Sequence, residues 1–543
     1  MRVDIRSVAE SIDKEDVARR AIKKLGSLYA KSTHFVYELI QNASDSDSRF
    51  LSLTLEGNGL VARNRGRVFD ARDVKAICTV SASSKDLTQI GTHGIGFKAV
   101  YTCTDRPQIY SSNSCWFCIE NYVRPEEISD IPTRFESFIS EGDTIFFLPF
   151  TEKFGIDGPN KITDEFRKLN RWTMLFLEKR GDFKTPQSLM EIEWFIQETG
   201  EAGQYARESY HNDPFPGVTR TLLRAGCTGV VEEDSFLIFR NEVLPPEDVI
   251  DDLLDRAEDA DEEKRIRRSA TGLQPIEIAF GYTNGHILPI TGAVLFSYLP
   301  TQISTGFGFL IQARYQTTPA RDNIVDSSGS SWNDWLIKET ARFLPQTLVS
   351  LRDNGYLSAS IFEALPHTGD NVPGAVRHVF EPVRDTLLIA LREGEQLIPV
   401  EGNGYASANG VAYPTSSILR KLFQGDDLTD LLNISSTKNS GSVYWLADEI
   451  NWSGRTKVLL TGAGVREIRA HEVVTWLQGK AAEWFSTRSH EWLKDLYLYL
   501  ANNQAEWARL KELPIIREAS GKHVCATKNW VFFPPKPGVI LLF

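Results

Sequence analysis

The stretch HFVYELIQNASDSD (residues 34–47) holds two patterns at once. At about 100° per residue, Phe35, Val36, Leu39, Ile40 and Ala43 fall in one arc, which predicts an amphipathic helix with a buried face. Glu38, Asn42 and Asp45 recur at i, i+4 and i+7 and form a narrow stripe along the edge of that arc. Such an edge is only partly hydrated, so an acid, an amide and a second acid there need partners from the protein or from a ligand. Taken alone, the spacing favours plain solvated positions on a surface helix, because i,i+4 polar pairs are common. The neighbouring residues have to decide.

Downstream, RFLSLTLEGNGLVARNRG (49–66) alternates at Leu51, Leu53 and Leu55, turns at Glu56-Gly57-Asn58-Gly59, and resumes at Leu60-Val61-Ala62. This predicts a β-hairpin that delivers Asn64 and Gly66 to a strand end. VFDARDVKAICTV (68–80) then reads as a helix with Asp70 as N-cap and with Val74 and Ile77 turned inward. In SASSKDLTQIGTHGIGFKAVY (81–101), Gly91, Gly94 and Gly96 precede Phe97-Lys98-Ala99-Val100-Tyr101, which can start a helix. Glycines in front of a helix let backbone N–H groups approach phosphate oxygens closely. The stretch is no Walker loop, since no G-K-[ST] follows, and no strand directly precedes it as a dinucleotide fingerprint requires. A strand, GDTIFFLPF (142–150), follows later with Thr144 near its start.

In this order, YELIQNASD (37–45), NRGRVFDARDVKAIC (64–78), IGTHGIGFKAVY (90–101) and TIFFLPF (144–150) resemble the motifs of the Bergerat-type ATPases. That family includes gyrase, the ninety-kilodalton heat-shock chaperones, histidine kinases and mismatch-repair ATPases; within it the chain is most similar to the sacsin-like and NO VEIN-like branch. The resemblance implies ATP and Mg²⁺ as cofactors. Glu38 takes the place of the general base that acts on the attacking water. Asn42 takes that of the Mg²⁺ ligand through its amide oxygen, and Asp45 that of the acid near the ribose and adenine. Gly91, Gly94 and Gly96 match the lid and phosphate-cradling loop. Phe97 and Lys98 follow them, Lys98 where a cation could meet phosphate charge. Ser84 and Lys85 fall in the lid, and Thr144 matches the hydroxyl at the adenine end. The family's glycine box, usually D-x-G-x-G, reads Asn64, Gly66 and Val68 here. An Asn oxygen can accept the hydrogen bond of the adenine amino group, but without a charge.

The expected class is therefore α/β (α+β): a Bergerat two-layer α/β sandwich over 1–152, a second α/β domain like a chaperone middle or transducer domain over 153–330, and a mainly helical region over 331–543. The second domain is read from FRKLNRWTMLFLEKRGDF (166–183) and from strands such as SLMEIEWFI (188–196) and SFLIFRNEV (235–243). Its TTPARDNI (317–324) resembles the chaperone loop that returns one cation to the ATP site, which makes Arg321 the second catalytic candidate. Pro319 would stiffen that loop. A surface Arg321 paired with Asp322 is the plainer reading, and Gln312 and Arg314 are weaker candidates. Beyond 330, Trp476, Trp484, Trp492, Leu496 and Leu500 fall at helical spacings that point to packing. WLKDLYLYL and the residues after it resemble a helix pair with a hairpin found in sacsin-like proteins. His471, His490 and His523 read as structural or exposed. The final PPKPGVILLF (534–543) suggests a chain cut short or an edge strand.

With 543 residues the chain exceeds one typical core, and 42% hydrophobic with 24% charged residues is a globular composition. No apolar run is long enough to cross a bilayer and no signal sequence opens the chain, so the expectation is a cytoplasmic protein without a membrane partner. Six cysteines fit a reducing compartment. Cys115 and Cys118 form one C-x-x-C on a strand, where the spacing puts them on opposite faces, so they read as core or edge residues and not as metal ligands. The acidic share gathers partly in residues 245–269, which turn from acidic to basic as a helix dipole prefers.

The function expected is a Mg-dependent, slowly hydrolysing ATP switch with a chaperone-like action on a macromolecular client, and with transient pairing of two protomers in ATP. A net charge of −12 favours a protein client over nucleic acid. The alternatives are a nucleic-acid-associated ATPase clamp, and a non-hydrolysing interaction scaffold suggested by Asn64; a part in defence or stress response is conceivable for either. A histidine kinase is set aside, since only about thirty residues precede the motif, too few for a phospho-accepting helix pair.

Overall fold

The computed structural model describes residues 3–10, 12, 35–78, 96–177, 188–227, 230–257, 260–317, 324, 331–367, 378–433, 443–518 and 520–527. The chain divides into two compact units, one of Met1–Leu344 with Asn371–Val383 and one of Pro345–Asp370 with Arg384–Phe543.

In the first unit, α1 (Ile5–Glu10) and α2 (Phe35–Asp45) precede the hairpin of β1 (Phe50–Glu56) and β2 (Gly59–Asn64). Next come α3 (Ala71–Cys78), a 3-10 helix over Gly96–Thr102, β3 (Gln108–Ser111), β4 (Cys115–Glu120) and β5 (Arg124–Glu127). After them stand α4 (Thr133–Ser140), β6 (Thr144–Pro149) and α5 (Glu152–Lys168). Strands β7 (Glu191–Ile196), β8 (Ala202–His211), β9 (Val218–Cys227) and β10 (Val230–Val243) lead to α6 (Glu247–Asp255) and α7 (Ala260–Ala270). The unit continues through β11 (Gln274–Thr283), β12 (His286–Leu288), β13 (Val294–Ser297), β14 (Leu299–Ser304) and β15 (Leu310–Ala313) to α8 (Ser331–Asp353).

All fifteen strands form one mixed sheet, in the order β14-β13-β15-β11-β10-β9-β8-β7-β1-β2-β6-β3-β4-β5 with β12 beside β11. The expected α/β class is what the chain adopts. Strands β1 and β7, which stand on either side of the expected boundary at 152, run parallel from Phe50↔Glu191 to Leu55↔Ile196. On this sheet the alternation seen in the sequence becomes a sidedness. Leu51, Leu53 and Leu55 of β1 join Ile192, Trp194 and Ile196 of β7 in one core with Phe35, Val36, Leu39, Ile40 and Ala43 of α2 and with Phe154, Ile162 and Phe166 of α5. On the other face α4 packs Phe135 and Ile139 against Val61, Ile145 and Phe147.

The local signals account for these elements. Asp70 caps α3 as expected: its Oδ1 accepts from the N–H of Arg72 at 2.7 Å and of Asp73 at 3.0 Å. Asp73 Oδ2 returns the favour by accepting from Asp70 N at 2.9 Å, a reciprocal cap. The acidic-to-basic segment forms α6 and α7, with Glu247 and Asp248 in the first turn of one and Arg267 and Arg268 in the last turn of the other.

The second unit is mainly helical, and its Trp476, Leu496 and Leu500 lie in a core with Phe485, Leu493 and Tyr499. It also holds a parallel sheet of three strands, Val411–Pro414, Tyr444–Trp445 and Arg466–Ile468, with the first in the middle. Strands of four, two and three residues are too short to show a period in sequence. A hairpin of Ile516–Arg517 and His523–Val524 follows the helix His490–Ala501. Among the described residues no helix is long and apolar enough to cross a membrane.

Gly203 sits opposite Trp194 on β7. A Cβ there would lie 2.4 Å from the indole Nε1, whose ring is fixed by Phe166 at 5.7 Å and by Tyr205 Oη at 3.3 Å. Gly203→Ala is expected to destabilise the protein by about 1–3 kcal/mol, as overpacking does. Urea unfolding of the purified variant checks this, and an unchanged midpoint would contradict the packing described.

Candidate functional site

Helix α2 ends in a way that fixes everything after it. Asp47 adopts a left-handed conformation (φ 61°), its N–H reaches Ser44 O at 3.1 Å, and Ser48 N reaches Ala43 O at 3.1 Å. This pair of bonds is a Schellman stop, with an aspartate where glycine is usual. The end of β2 is then laid on the helix terminus: Arg67 N donates to Ser46 O at 2.6 Å and Arg65 N to Ser48 Oγ at 3.0 Å. Gly66 is required at this contact, since a Cβ would lie 2.3 Å from Ser46 O and 2.6 Å from its hydroxyl. Val68, two residues on, is exposed.

Strand register builds the floor beside the helix. Leu51 pairs with Asn64, Asn64 with Thr144, and Thr144 with Ser111, so the four form one row across β1, β2, β6 and β3. Period-2 alternation puts this row on the face that α2 covers, because Leu60, Ala62, Ile109, Phe146 and Leu148 point into the same core. Its polar members are deeply buried: Asn64 is 5% exposed, Thr144 3% and Ser111 0%, with Asp45 at 5% on the helix side. The hydroxyls of Ser111 and Thr144 lie 3.3 Å apart, and Ser111 Oγ also accepts from Phe69 N at 3.3 Å. Ser111 was not singled out in sequence; a serine closing an apolar strand is too common to stand out.

On the opposite face, Asp143 anchors the same strand ends. Its fully buried carboxylate accepts from Arg63 at 3.0 Å and from Arg65 at 2.6 Å. Arg65 reaches Glu141 as well, at 2.9 Å, and these hydrogen bonds, led by Asp143, hold its guanidinium above the ordinary range.

Glu38 and Asn42 are half-buried on α2, on the same stripe as Asp45. Gly96 opens the 3-10 helix, and Phe97 packs against Phe146 with ring centres 5.8 Å apart, beside the strand of Thr144. Lys98 lies inside the fold: its ammonium donates to the carbonyl of Tyr122 and sits 5.5 Å from the centre of the Tyr101 ring. Burial pulls its pKa down to about 8. Ser84, Lys85, Gly91, Gly94 and Arg321 lie outside the described residues. The structure thus brings Glu38, Asn42, Asp45, Asn64, Gly66 and Thr144 to one helix edge and the strand ends beside it, and adds Ser111. Gln312 Oε1, far along the sheet on β15, accepts from Tyr298 N at 2.6 Å, and Arg314 reaches Ser269 O at 3.4 Å.

The two cysteines of the C-x-x-C fall on opposite faces of β4. Cys115 enters the main core with Phe117 and Ile119, and burial pushes its thiol up to about 12. Cys118 faces the other side, where its donor atom and those of Glu120 and Glu126 come within 4.8 Å of one another. Arg106 pairs with Glu120, Arg124 lies 3.6 Å from Glu126, and burial raises the Cys118 thiol. Both carboxylates therefore have a cation at hand, and the cluster is accounted for by ion pairing.

Residues 52–123, from the first hairpin through β4, match the family model of the Sacsin domain. Protein NO VEIN of Arabidopsis thaliana is 24% identical over 406 residues, which cover 71% of this chain and 14% of that protein. The chain therefore spans only about 14% of the length of this curated relative. The likeness to sacsin-like and NO VEIN-like proteins read from the motifs is present in both comparisons. Among solved structures, the crystal structure of the N terminal domain of a DNA repair protein covers 56% of this chain and 91% of its own, with 9% identity and a TM-score of 0.26.

The buried ammonium of Lys98 gives a pH test of the packing around the site. Its folded pKa lies below the 10.5 of a free lysine, so the unfolded chain binds more protons between about 8 and 10.5. The contribution of Lys98 to stability therefore rises with pH across that window and is least below it. From about pH 7.5 to 10, wild type is expected to gain about 2 kcal/mol on Lys98→Met. Denaturant unfolding of both at the two pH values checks this. A difference that does not move with pH would contradict the burial of Lys98.

Proposed function

We propose that this chain binds Mg-ATP between α2 and the ends of β2, β6 and β3, and hydrolyses it slowly as a conformational switch of the Bergerat type. The observation that carries this reading is the buried polar row of Asn64, Thr144 and Ser111 beside Asp45, on the core side of the sheet. A row of polar side chains on the core side of the sheet is uncommon, and hydrogen bonds such as that between Ser111 and Thr144 at 3.3 Å hold it in place for a ligand's polar edge. A carboxylate, an amide and two hydroxyls offer the acceptors and donors that an aminopurine edge needs. Asp45 and Asn64 would accept from the amino group, and Ser111 and Thr144 would hold the far side of the ring. The likeness of residues 52–123 to the Sacsin domain supports the same reading.

Toward the N-terminal turns of α2, Asn42 and Glu38 present oxygen donors, the set that suits a hard divalent ion. Asn42 would hold Mg²⁺ through its amide oxygen. The ion, when bound, neutralises phosphate charge. Glu38 sits one turn before Asn42, where its carboxylate would orient a water and take its proton. The close contact of Gly66 with Ser46 fixes the strand end against this helix, so the adenine and phosphate ends are set by one rigid element. Lys98, bound to a main-chain carbonyl, would act from beneath the site by shaping its floor. Arg321, and the glycines at 91, 94 and 96, would close the phosphate end. The proposed activity serves a chaperone-like action on a protein client, in line with a net charge of −12, with two protomers pairing when ATP is held. The proposed compartment is the cytoplasm.

Steady-state turnover with Mg²⁺, wild type against Glu38→Ala, tests the hydrolytic part. Loss of the base is expected to lower kcat by about 10²-fold or more while nucleotide affinity stays within a few-fold. Equal turnover in the two proteins would refute the assignment. Binding without turnover in the wild type would instead mark a scaffold that uses ATP as a ligand alone.

A further inference from the structure

The polar groups of the buried row beside α2 differ in whether their hydrogen-bond sense is fixed. Asp45, as a carboxylate, only accepts. The hydroxyls of Ser111 and Thr144 lie 3.3 Å apart and either can be the donor. Asn64 carries an acceptor and a donor on one planar amide, and half a turn about its last bond exchanges them.

The surroundings of Asn64 hold its main chain and leave that turn open. Arg63 and Arg65, on either side of it, are tied to the Asp143 carboxylate on the opposite face at 3.0 Å and 2.6 Å. Two residues on, Gly66 lies against Ser46. Within the row the neighbours of Asn64 are Leu51, which has no polar side-chain atom, and Thr144, whose hydroxyl faces Ser111. Asn64 is only 5% exposed, yet among the described residues no hydrogen bond fixes its side-chain amide.

A buried amide of this kind can meet either sort of purine. Adenine carries an amino group at position 6, whose two N–H bonds would go to Asn64 Oδ1 and to Asp45. Guanine and hypoxanthine carry an oxygen there and a hydrogen on N1. With the amide turned over, Asn64 Nδ2 would donate to that oxygen, and Asp45 would accept from N1–H. The hydroxyls of Ser111 and Thr144 adjust by turning their protons. We propose that Asn64 is the specificity-determining residue of this pocket, and that it admits the triphosphates of 6-oxo purines as well as ATP. This rests on the proposed nucleotide site and widens its substrate class.

The test is competition against a fluorescent ATP analogue on the full chain with Mg²⁺. The competitors are the β,γ-imido analogues of ATP, GTP and inosine triphosphate; the inosine form lacks the 2-amino group and so reports position 6 alone. Wild type is expected to bind all three within about tenfold of one another, since a matched partner is available to each. Asn64→Asp, which can only accept, should keep the adenine form within a few-fold. It should weaken the guanine and inosine forms about tenfold or more, because acceptor then faces acceptor. Should Asn64→Asp fail to fold, the wild-type comparison decides by itself. A wild type that prefers the adenine form by about 10²-fold or more would overturn the inference and leave the ATP site standing. Equal weakening of all three analogues in Asn64→Asp would overturn it as well. Failure of every analogue to compete, with no binding of the fluorescent probe, would remove the nucleotide site and this inference together.

Discussion

The parallel pairing of β1 with β7 is the constraint on which the first unit depends. Parallel neighbours cannot be joined by a tight turn and are stable only when both are well buried. The register from Phe50↔Glu191 to Leu55↔Ile196 places Leu51, Leu53 and Leu55 level with Ile192, Trp194 and Ile196, so both strands show the same side to the core. Helices α2 and α5 lie on that side. A slip of one residue would turn every one of these side chains to the opposite face. Everything that positions the candidate site follows from this sidedness. The apolar arc of α2 is pressed onto the sheet, its polar stripe is left along the margin, and the strand ends meet the stripe.

From there the site is a matter of chain geometry. A Schellman stop at Asp47, the contact at Gly66 and the Asp143 anchor hold the helix terminus and the strand ends together from both faces. Asn64, Thr144 and Ser111 then share a row by register. Main chain and ion pairs set this scaffold. Asn64 supplies an acceptor at a 5% exposed position without adding a second buried acid to that of Asp45.

Much of this was legible in the residues themselves. The helix at 35–45, the hairpin through Gly57-Asn58 and the Asp70 cap depend on neighbours within a few positions, and periodicity or turn chemistry reports them directly. The places of Asp45, Asn64 and Thr144 at a helix edge and at strand ends were read from the patterns, but Asp45 was expected to be only partly withdrawn from water and is 5% exposed, with Asn64 at 5% and Thr144 at 3%. Ser111 was not, because its importance comes from register with Thr144 across strands distant in sequence. Nor was the β1–β7 pair, whose members are separated by more than a hundred residues, or Asp143, whose two arginine partners lie in and just past the end of β2. Lys98 shows a different limit. Its place after the glycines suggested a cation that could meet phosphate charge, whereas its ammonium is buried against the Tyr122 carbonyl and the Tyr101 ring. The small parallel sheet of the second unit escaped for want of length.

In the proposed function, the row of Asn64, Thr144 and Ser111, with Asp45, forms the base end of an adenine-nucleotide pocket. Calorimetric titration with a non-hydrolysable ATP analogue and Mg²⁺, on wild type and on a folded Asp45→Ala, addresses it most directly. Saturable one-to-one binding to the wild type is expected, weakened about tenfold or more in the variant, the equivalent of about 1.4 kcal/mol. No binding by the wild type, or equal affinity in both proteins, would contradict it.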